Sequence, residues 1–178
     1  TLRTFDELVR AGKVRVIGAS NYTAERLQEA LATSAAAGLA RYESLQPHYN
    51  LYDRAGFESG LADLCRREQL GVIPYFALAS GFLTGKYRSA ADAGKSPRGA
   101  RAQAMLDARG LRILAALDQA ATRHAATQAQ VALAWLLARG VTAPIASATT
   151  LPQLRELLGM TRVQLDPASL EALDAASA

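Results

Sequence analysis

At four places along this chain an apolar run gives way to small polar side chains. Ser20 and Asn21 follow Val14, Val16 and Ile17; Gln46 ends a second run; Tyr75 closes a third and leads into Phe76-Ala77-Leu78-Ala79-Ser80-Gly81; Ser147-Ala148-Thr149-Thr150 follows a fourth. The set is polar but uncharged, so it offers no strong acid or base. Amides and hydroxyls converging with one aromatic ring suit a flat heteroaromatic carboxamide, the ring stacked and the amide hydrogen-bonded. The Ser/Thr turn before Gln153 also predicts a helix N-terminus with unpaired N–H groups, a natural phosphate site.

Plainer readings stand beside these. Ser20, Asn21 and Thr150 are residue types that cap helices, and Tyr75 could be a core aromatic with a bonded hydroxyl. Trp135, on a helix among Leu and Ala, reads as core. His48, between Pro47 and Tyr49, could donate a proton, but no carboxylate is placed to orient it and it reads as a surface imidazole. Cys65, between Leu61 and Leu64, reads as an inert buried thiol. The ligand reading gains from the fact that every run end carries such residues.

The elements that must hold these residues follow from periodicity. Strand-length runs at 14–17, 42–46, 71–75 and 141–146 alternate with helical patterns carrying Leu27, Ala30 and Leu31, then Leu61, Leu64 and Cys65, then Ile113, Leu114 and Leu117, then Val131, Ala134, Trp135 and Ala138. A helix at 1–11 precedes the first strand, and a last helix at 167–175 is capped by Asp166. Thr127-x-x-Gln130 and Thr150-x-x-Gln153 have the spacing of capping boxes. Strand followed by helix four times over predicts an α/β fold with a parallel sheet, whose ligand residues collect beyond the carboxyl ends of the strands. A complete eight-fold barrel needs roughly 250 residues; half of one fits. A doubly wound fold is the other home for four units, but the G-x-G-x-x-G turn is absent after the first run.

Composition narrows the class. With 178 residues, 50% hydrophobic and 20% charged, the chain reads as a packed domain rather than a disordered or fibrous one. No apolar run has the length of a membrane span and no signal segment opens the chain, so the expectation is a cytoplasmic protein without membrane contact. One Cys and two His supply neither an intramolecular disulfide nor a metal-ligand set. The net charge of +4 is local: Lys86, Arg88, Lys95, Arg98 and Arg101 face only Asp92 between 86 and 101. That is a solvated loop or a basic flap over a phosphorylated ligand; without interleaved aromatics it does not make a nucleic-acid surface. Thr1 rather than Met opens the sequence, which is expected of a processed chain or a piece of a longer one.

Four motifs in order carry a resemblance. Gly12-Lys13-Val14-Arg15-Val16-Ile17-Gly18-Ala19-Ser20-Asn21, Leu45-Gln46-Pro47-His48-Tyr49-Asn50-Leu51, Ala79-Ser80-Gly81-Phe82-Leu83-Thr84-Gly85-Lys86-Tyr87 and Ala143-Pro144-Ile145-Ala146-Ser147-Ala148-Thr149 together resemble the carboxyl-terminal half of an aldo-keto reductase. The resemblance implies that residues 1–178 are a single incomplete domain, the last four βα units of a TIM-type (α/β)8 barrel, with a basic flap at 82–103. It implies NADPH (NADP+) as cofactor and reduction of small-molecule aldehydes and ketones by hydride transfer. Ser20, Asn21 and Gln46 would hold the nicotinamide carboxamide and Tyr75 would stack on its ring. Phe76, Leu78 and Ser80 would lie along the pyrophosphate, where Phe76-Ala77-Leu78 replaces the family's Ser-Pro-Leu. Lys86 and Arg101 would close over the phosphates. Ser147 and Thr149 would line the adenosine phosphate, and Gln153 and Glu156 would meet the adenosine.

Leu157 replaces a usual Asn, and Thr150 a frequent Arg or Lys at the 2′-phosphate, which implies a smaller preference for NADPH over NADH. The family's proton-transferring Asp, Tyr, Lys and His match no position here, so no catalytic residue is assigned and the chain alone is expected to be nearly inactive. Exposed sheet edges imply self-association. The other reading is a non-enzymatic nicotinamide-nucleotide-binding or channel-regulatory module of the same fold.

Overall fold

The computed structural model describes residues 1–95 and 99–178. Helix α1 (Leu2–Arg10) leads into β1 (Ile17–Ser20), α2 (Ala24–Ala37), β2 (Tyr42–Gln46), the short helices α3 (Ala55–Glu58) and α4 (Leu61–Arg67), and β3 (Gly71–Val72). Two 3-10 helices follow, Ala79–Thr84 and Ala90–Lys95, then α5 (Gly99–Gln103), α6 (Ala108–Arg123), α7 (Gln128–Ala138), α8 (Leu151–Leu158), a 3-10 turn (Gly159–Arg162) and α9 (Pro167–Ser177). The strands form one parallel sheet in the order β1-β2-β3, the pattern in which a helix must carry the chain from one strand to the next.

Local chemistry sets the helix boundaries. Thr23 caps α2 by accepting from Arg26 N, and Gly38 ends it in the left-handed conformation (φ 61°) that glycine adopts without a Cβ penalty. Asp107 and Asp166 cap α6 and α9 through Gly110 N and Ser169 N. Those N–H groups hold the Asp107 and Asp166 carboxyls below the usual carboxylate range. Thr127 and Gln130 complete a reciprocal capping box on α7. The core joins Leu27 and Leu31 of α2 to Leu45 of β2, Ile113, Leu114 and Leu117 of α6, and Val131, Leu133, Trp135 and Leu136 of α7, all buried. A buried Leu or Ile contributes about 1.5–3 kcal/mol.

Several expectations need correction. The first strand lies at Ile17–Ser20 rather than 14–17: Val16 is 62% exposed, and pairing with β2 starts only at Ile17↔Tyr42. The register shifts between Ile17 and Gly18, and β2 comes so close that a Cβ on Gly18 would collide with the Ser44 hydroxyl. Ser20 is therefore the last strand residue, not part of a turn. The third strand is shortened to Gly71–Val72, with an isolated parallel bridge between His48 and Tyr75 beyond it. Tyr75 N still donates to Pro47 O, but neither Pro47 nor Pro74 has an N–H to give to a ladder.

No strand is assigned at 141–146. Thr142 and Ile145 donate backbone N–H groups to Val72 O and Pro74 O, so the segment runs beside β3. The return bonds fail: Val72 N donates to the Thr142 hydroxyl instead of a carbonyl, and Pro74 has nothing to donate. Two smaller differences lie in the helices. The last one continues to Ser177. The expected box at Thr150 is half formed, since Thr150 Oγ1 accepts from Gln153 N while the Gln153 side chain turns to Thr149.

Within 82–103, Phe82, Leu83, Tyr87 and Ala102 are buried in the core, and short helical turns cover Ala79–Thr84, Ala90–Lys95 and Gly99–Gln103. Arg98 lies outside the described residues.

Candidate functional site

The ends of β1, β2 and β3 bring the predicted residues of the ring end together. Ser20 Oγ donates to Gln46 O at 3.0 Å, and Tyr75 Oη donates to Asn21 Oδ1 at 2.7 Å. The side chains of Ser20, Asn21 and Gln46 are exposed and Tyr75 is half-buried. Asn21 and Phe76, just past β1 and β3, have left-handed backbones (φ 57° and 55°), as do Ala79 and Ser80 (φ 48° and 57°). Non-glycine residues seldom take this conformation, and such outliers cluster at ligand sites.

Asn50 accounts for part of this geometry and was not singled out from the sequence. It is wholly buried. Its Nδ2 donates to Phe76 O and to Asp53 Oδ2, while its Oδ1 accepts from Tyr52 N and Asp53 N. One side chain thus joins the turn after β2 to the turn after β3.

The expectation for His48 is overturned in one respect: a carboxylate does face it. Nε2 lies 3.1 Å from Asp53 Oδ2, brought there by the tight turn that Asn50 organises. The imidazole also stacks on Tyr75, with centroids 5.4 Å apart and planes 13° apart, and meets the Phe76 ring edge-on. Spacing could not show this, because a histidine and an aspartate five residues apart meet only if the intervening chain folds back.

The basic residues divide into two kinds. Arg88 forms a two-pronged ion pair with Asp118 (both contacts 2.8 Å), and Lys95 pairs with Asp92 at 2.7 Å. Asp92 is held far below the usual carboxylate range, first by Lys95 and then by the N–H groups of Arg88 and Ser89. Lys86 and Arg101 instead lie over aromatic rings, at 5.1 Å from the Tyr87 centroid and 5.3 Å from that of Phe76. Phe76 therefore places Arg101 beside the Tyr75 cluster, and the Lys86 side chain runs close to Gly81. Leu78 O accepts from Gly81 N at 2.8 Å, closing that turn, and Ser80 is buried.

The third group stands apart. Segment 141–146 passes Pro74, just beyond β3, and delivers Ser147, Thr149, Gln153 and Glu156 as exposed residues. Thr149 N and Oγ1 both donate to Gln153 Oε1, at 2.9 and 3.0 Å, so some of the N–H groups expected to be open for phosphate are capped from within. Glu156 is fixed through its carbonyl, which accepts from Gln130 Nε2 at 2.7 Å. Grooves of about 550 Å³ between α6 and α9 and about 440 Å³ beside Gly159–Arg162 lie elsewhere.

Trp135 is core, its Nε1 donating to Asp174 Oδ1 at 3.0 Å. Burial pushes the Cys65 thiol up to about 11, in keeping with an inert group. No group of three or more His, Cys, Asp or Glu among the described residues could hold a metal. No helix among them is long and apolar enough to cross a membrane.

A parallel sheet of βα units with uncharged polar residues and one ring at its carboxyl edge defines an α/β protein of the barrel or doubly wound kind. The chain belongs to the aldo/keto reductase family, whose model matches residues 1–178. It is 34% identical over 184 residues to "Protein tas" of Escherichia coli (strain K12), covering 98% of this chain and 51% of the relative. It is 29% identical over 171 residues to the aldo-keto reductase yakc of Schizosaccharomyces pombe, whose name specifies NADP(+), covering 93% and 48%. Among solved structures it resembles the thermostable aldo-keto reductase Tm1743, crystallised with the inhibitor epalrestat, with a TM-score of 0.75 and 26% identity over 98% of this chain and 53% of that one. The chain spans about half the length of the curated relatives it matches.

Proposed function

We propose that this chain is the nicotinamide-nucleotide-binding part of an NADPH-dependent carbonyl reductase, one incomplete domain formed by the carboxyl-terminal βα units of the barrel. The observation that carries this reading is the Tyr75 ring beyond β3, tied by its hydroxyl to Asn21 and flanked by the Ser20–Gln46 pair. The donor set fits the group: amides and hydroxyls for a carboxamide, a ring for stacking, and Lys86 and Arg101 for phosphates. The NADP(+) in the yakc name supports the same cofactor.

When bound, the cofactor supplies hydride. Ser20, Asn21 and Gln46 orient the carboxamide, and Tyr75 fixes the plane of the ring. Phe76, Leu78 and Ser80 follow the pyrophosphate, with Lys86 and Arg101 neutralising the phosphates. Ser147, Thr149, Gln153 and Glu156 take the adenosine end, and Thr150, uncharged, gives a modest preference for the 2′-phosphate. The assigned residues include no proton donor for the carbonyl oxygen. The 178 residues alone therefore reduce carbonyls slowly, since general acid catalysis is worth ~10²–10⁴ in rate. The edges of the sheet and the exposed Leu151, Leu154 and Leu158 of α8 favour self-association.

Titration of the chain with NADPH, followed by nucleotide fluorescence and run beside sedimentation, tests this. Saturable binding weakened about 2- to 10-fold by Tyr75→Leu, the range of an aromatic pair, is expected. A folded chain that does not bind, or that binds equally well without the Tyr75 ring, overturns the assignment.

A further inference from the structure

We infer that His48, held by Asp53, is a positioning residue that backs the Tyr75 ring and biases the site between the oxidised and reduced forms of the nicotinamide. This rests on the cofactor reading above and deepens it.

Three observations meet at the imidazole. It is stacked on Tyr75 with planes 13° apart, its Nε2 is 3.1 Å from Asp53 Oδ2, and it touches the Phe76 edge. A ring backed on one face has its opposite face to offer a ligand, so His48 acts on the nicotinamide through Tyr75. Asp53 is itself fixed, since Asn50 Nδ2 donates to the same Oδ2 at 3.1 Å. The groups facing the imidazole are Asp53 from its own turn, the Tyr75 and Phe76 rings from beyond β3 and, across Phe76, the Arg101 guanidinium of α5.

The two cofactor forms differ in one relevant charge. An oxidised nicotinamide ring is cationic and a reduced one is neutral, while both carry the same phosphates. Beside a neutral imidazole, the Asp53 carboxylate favours the cationic ring. A protonated imidazole cancels that advantage and shifts the site toward the reduced form. Histidine is the side chain whose charge changes between about pH 5 and 8, whereas Arg101 stays charged throughout.

The test is the ratio of NADP+ to NADPH dissociation constants at pH 5.5 and pH 8.5, measured on the 178-residue chain by calorimetric titration. Taking the ratio removes effects of the shared phosphates. In the wild type, affinity for NADP+ relative to NADPH should rise with pH by about 2-fold or more, which one unit charge produces across roughly 9 Å even in water. His48→Phe keeps a ring behind Tyr75 and should retain NADPH binding while losing the pH dependence of the ratio. His48→Ala removes the ring and should weaken both forms, and circular dichroism checks that each variant is folded. If the ratio varies with pH equally in the wild type and His48→Phe, the inference is overturned while the cofactor site stands. If the wild type binds neither nucleotide, the cofactor site itself is refuted and this inference with it.

Discussion

The ring end and the adenosine end of the proposed site are built in different ways. Around Tyr75, bonds cross between elements: Ser20 to Gln46 spans 26 residues, Tyr75 to Asn21 spans 54 and Asn50 to Phe76 spans 26. Around Thr149, the side-chain bonds are local, Thr149 to Gln153 four residues apart and Thr150 to Gln153 three apart; Gln130 reaches Glu156 from 26 residues away, but it holds the backbone carbonyl rather than a side chain the nucleotide would meet. Helix α8 buries none of its residues. A group held by several elements has little freedom left to lose when a ligand arrives, whereas a group on one exposed helix must be ordered at that moment, at a cost of about 0.5–1.5 kcal/mol per side chain. The proposed site therefore pairs a pre-shaped ring end with an adaptable nucleotide arm.

The largest effect expected from this contrast is at Asn50. Asn50→Ala leaves Tyr52 N, Asp53 N and Phe76 O without the partner they have now. Such a group costs about 1–3 kcal/mol where it is buried and less where water reaches it, as water can at half-buried Tyr52 and Asp53 and exposed Phe76. A loss of about 2–4 kcal/mol in denaturant unfolding is expected, with the Phe76 turn released and NADPH binding weakened as well. A stable Asn50→Ala chain with unchanged nucleotide affinity would show that the ring end is not held from behind, and the contrast would collapse.

What the sequence revealed follows the same division. Strand β2 could be read at its observed bounds because Pro47 ends it, and the caps at Thr127 and Asp166 could be read because they depend on residues three apart. Ser20, Asn21, Gln46 and Tyr75 were found as residues at run ends, which needs only the βα pattern. Three features were hidden because they depend on the far side of a contact. The Ile17 start of β1 is set by where β2 lies, not by the apolar run beginning at Val14. The missing ladder at 141–146 is set by Pro74 just beyond β3 and by the Thr142 hydroxyl that takes Val72 N. The Asp53 beside His48 arrives through a turn fixed by a buried amide, and Asn50 in the sequence looks like any polar residue before a loop.

A middle-sized effect is expected where the two ends join. Among the described basic residues of the 82–103 stretch, Arg88 and Lys95 are engaged with Asp118 and Asp92, while Lys86 and Arg101 lie over rings. Lys86→Ala with Arg101→Ala should weaken NADPH binding about 5- to 30-fold at low salt and much less at high ionic strength, because exposed charges are screened within roughly 10 Å at 0.1 M. Arg88→Ala should act instead on stability, by no more than about 1 kcal/mol for so exposed a pair. If Arg88→Ala has the greater effect on the dissociation constant, the division of the basic residues is wrong.

The smallest effect is expected at Gln153, and it is the sharpest test of the adaptable arm. Gln153 Oε1 is occupied by Thr149 N and Oγ1, so a nucleotide that uses this side chain must displace bonds already made. The exchange returns little net free energy, because the Thr149 groups are exposed and water can replace the lost partner. Gln153→Ala should therefore shift stability by less than about 0.5 kcal/mol, as surface substitutions do, and change NADPH affinity less than about 3-fold. Thr150→Val removes the helix cap as well and should cost about 1 kcal/mol, with the loss appearing in the fraying of α8 rather than at Tyr75. A tenfold loss of nucleotide affinity from Gln153→Ala alone would mean that the adenosine end is as pre-shaped as the ring end, with Gln153 already set to meet the nucleotide.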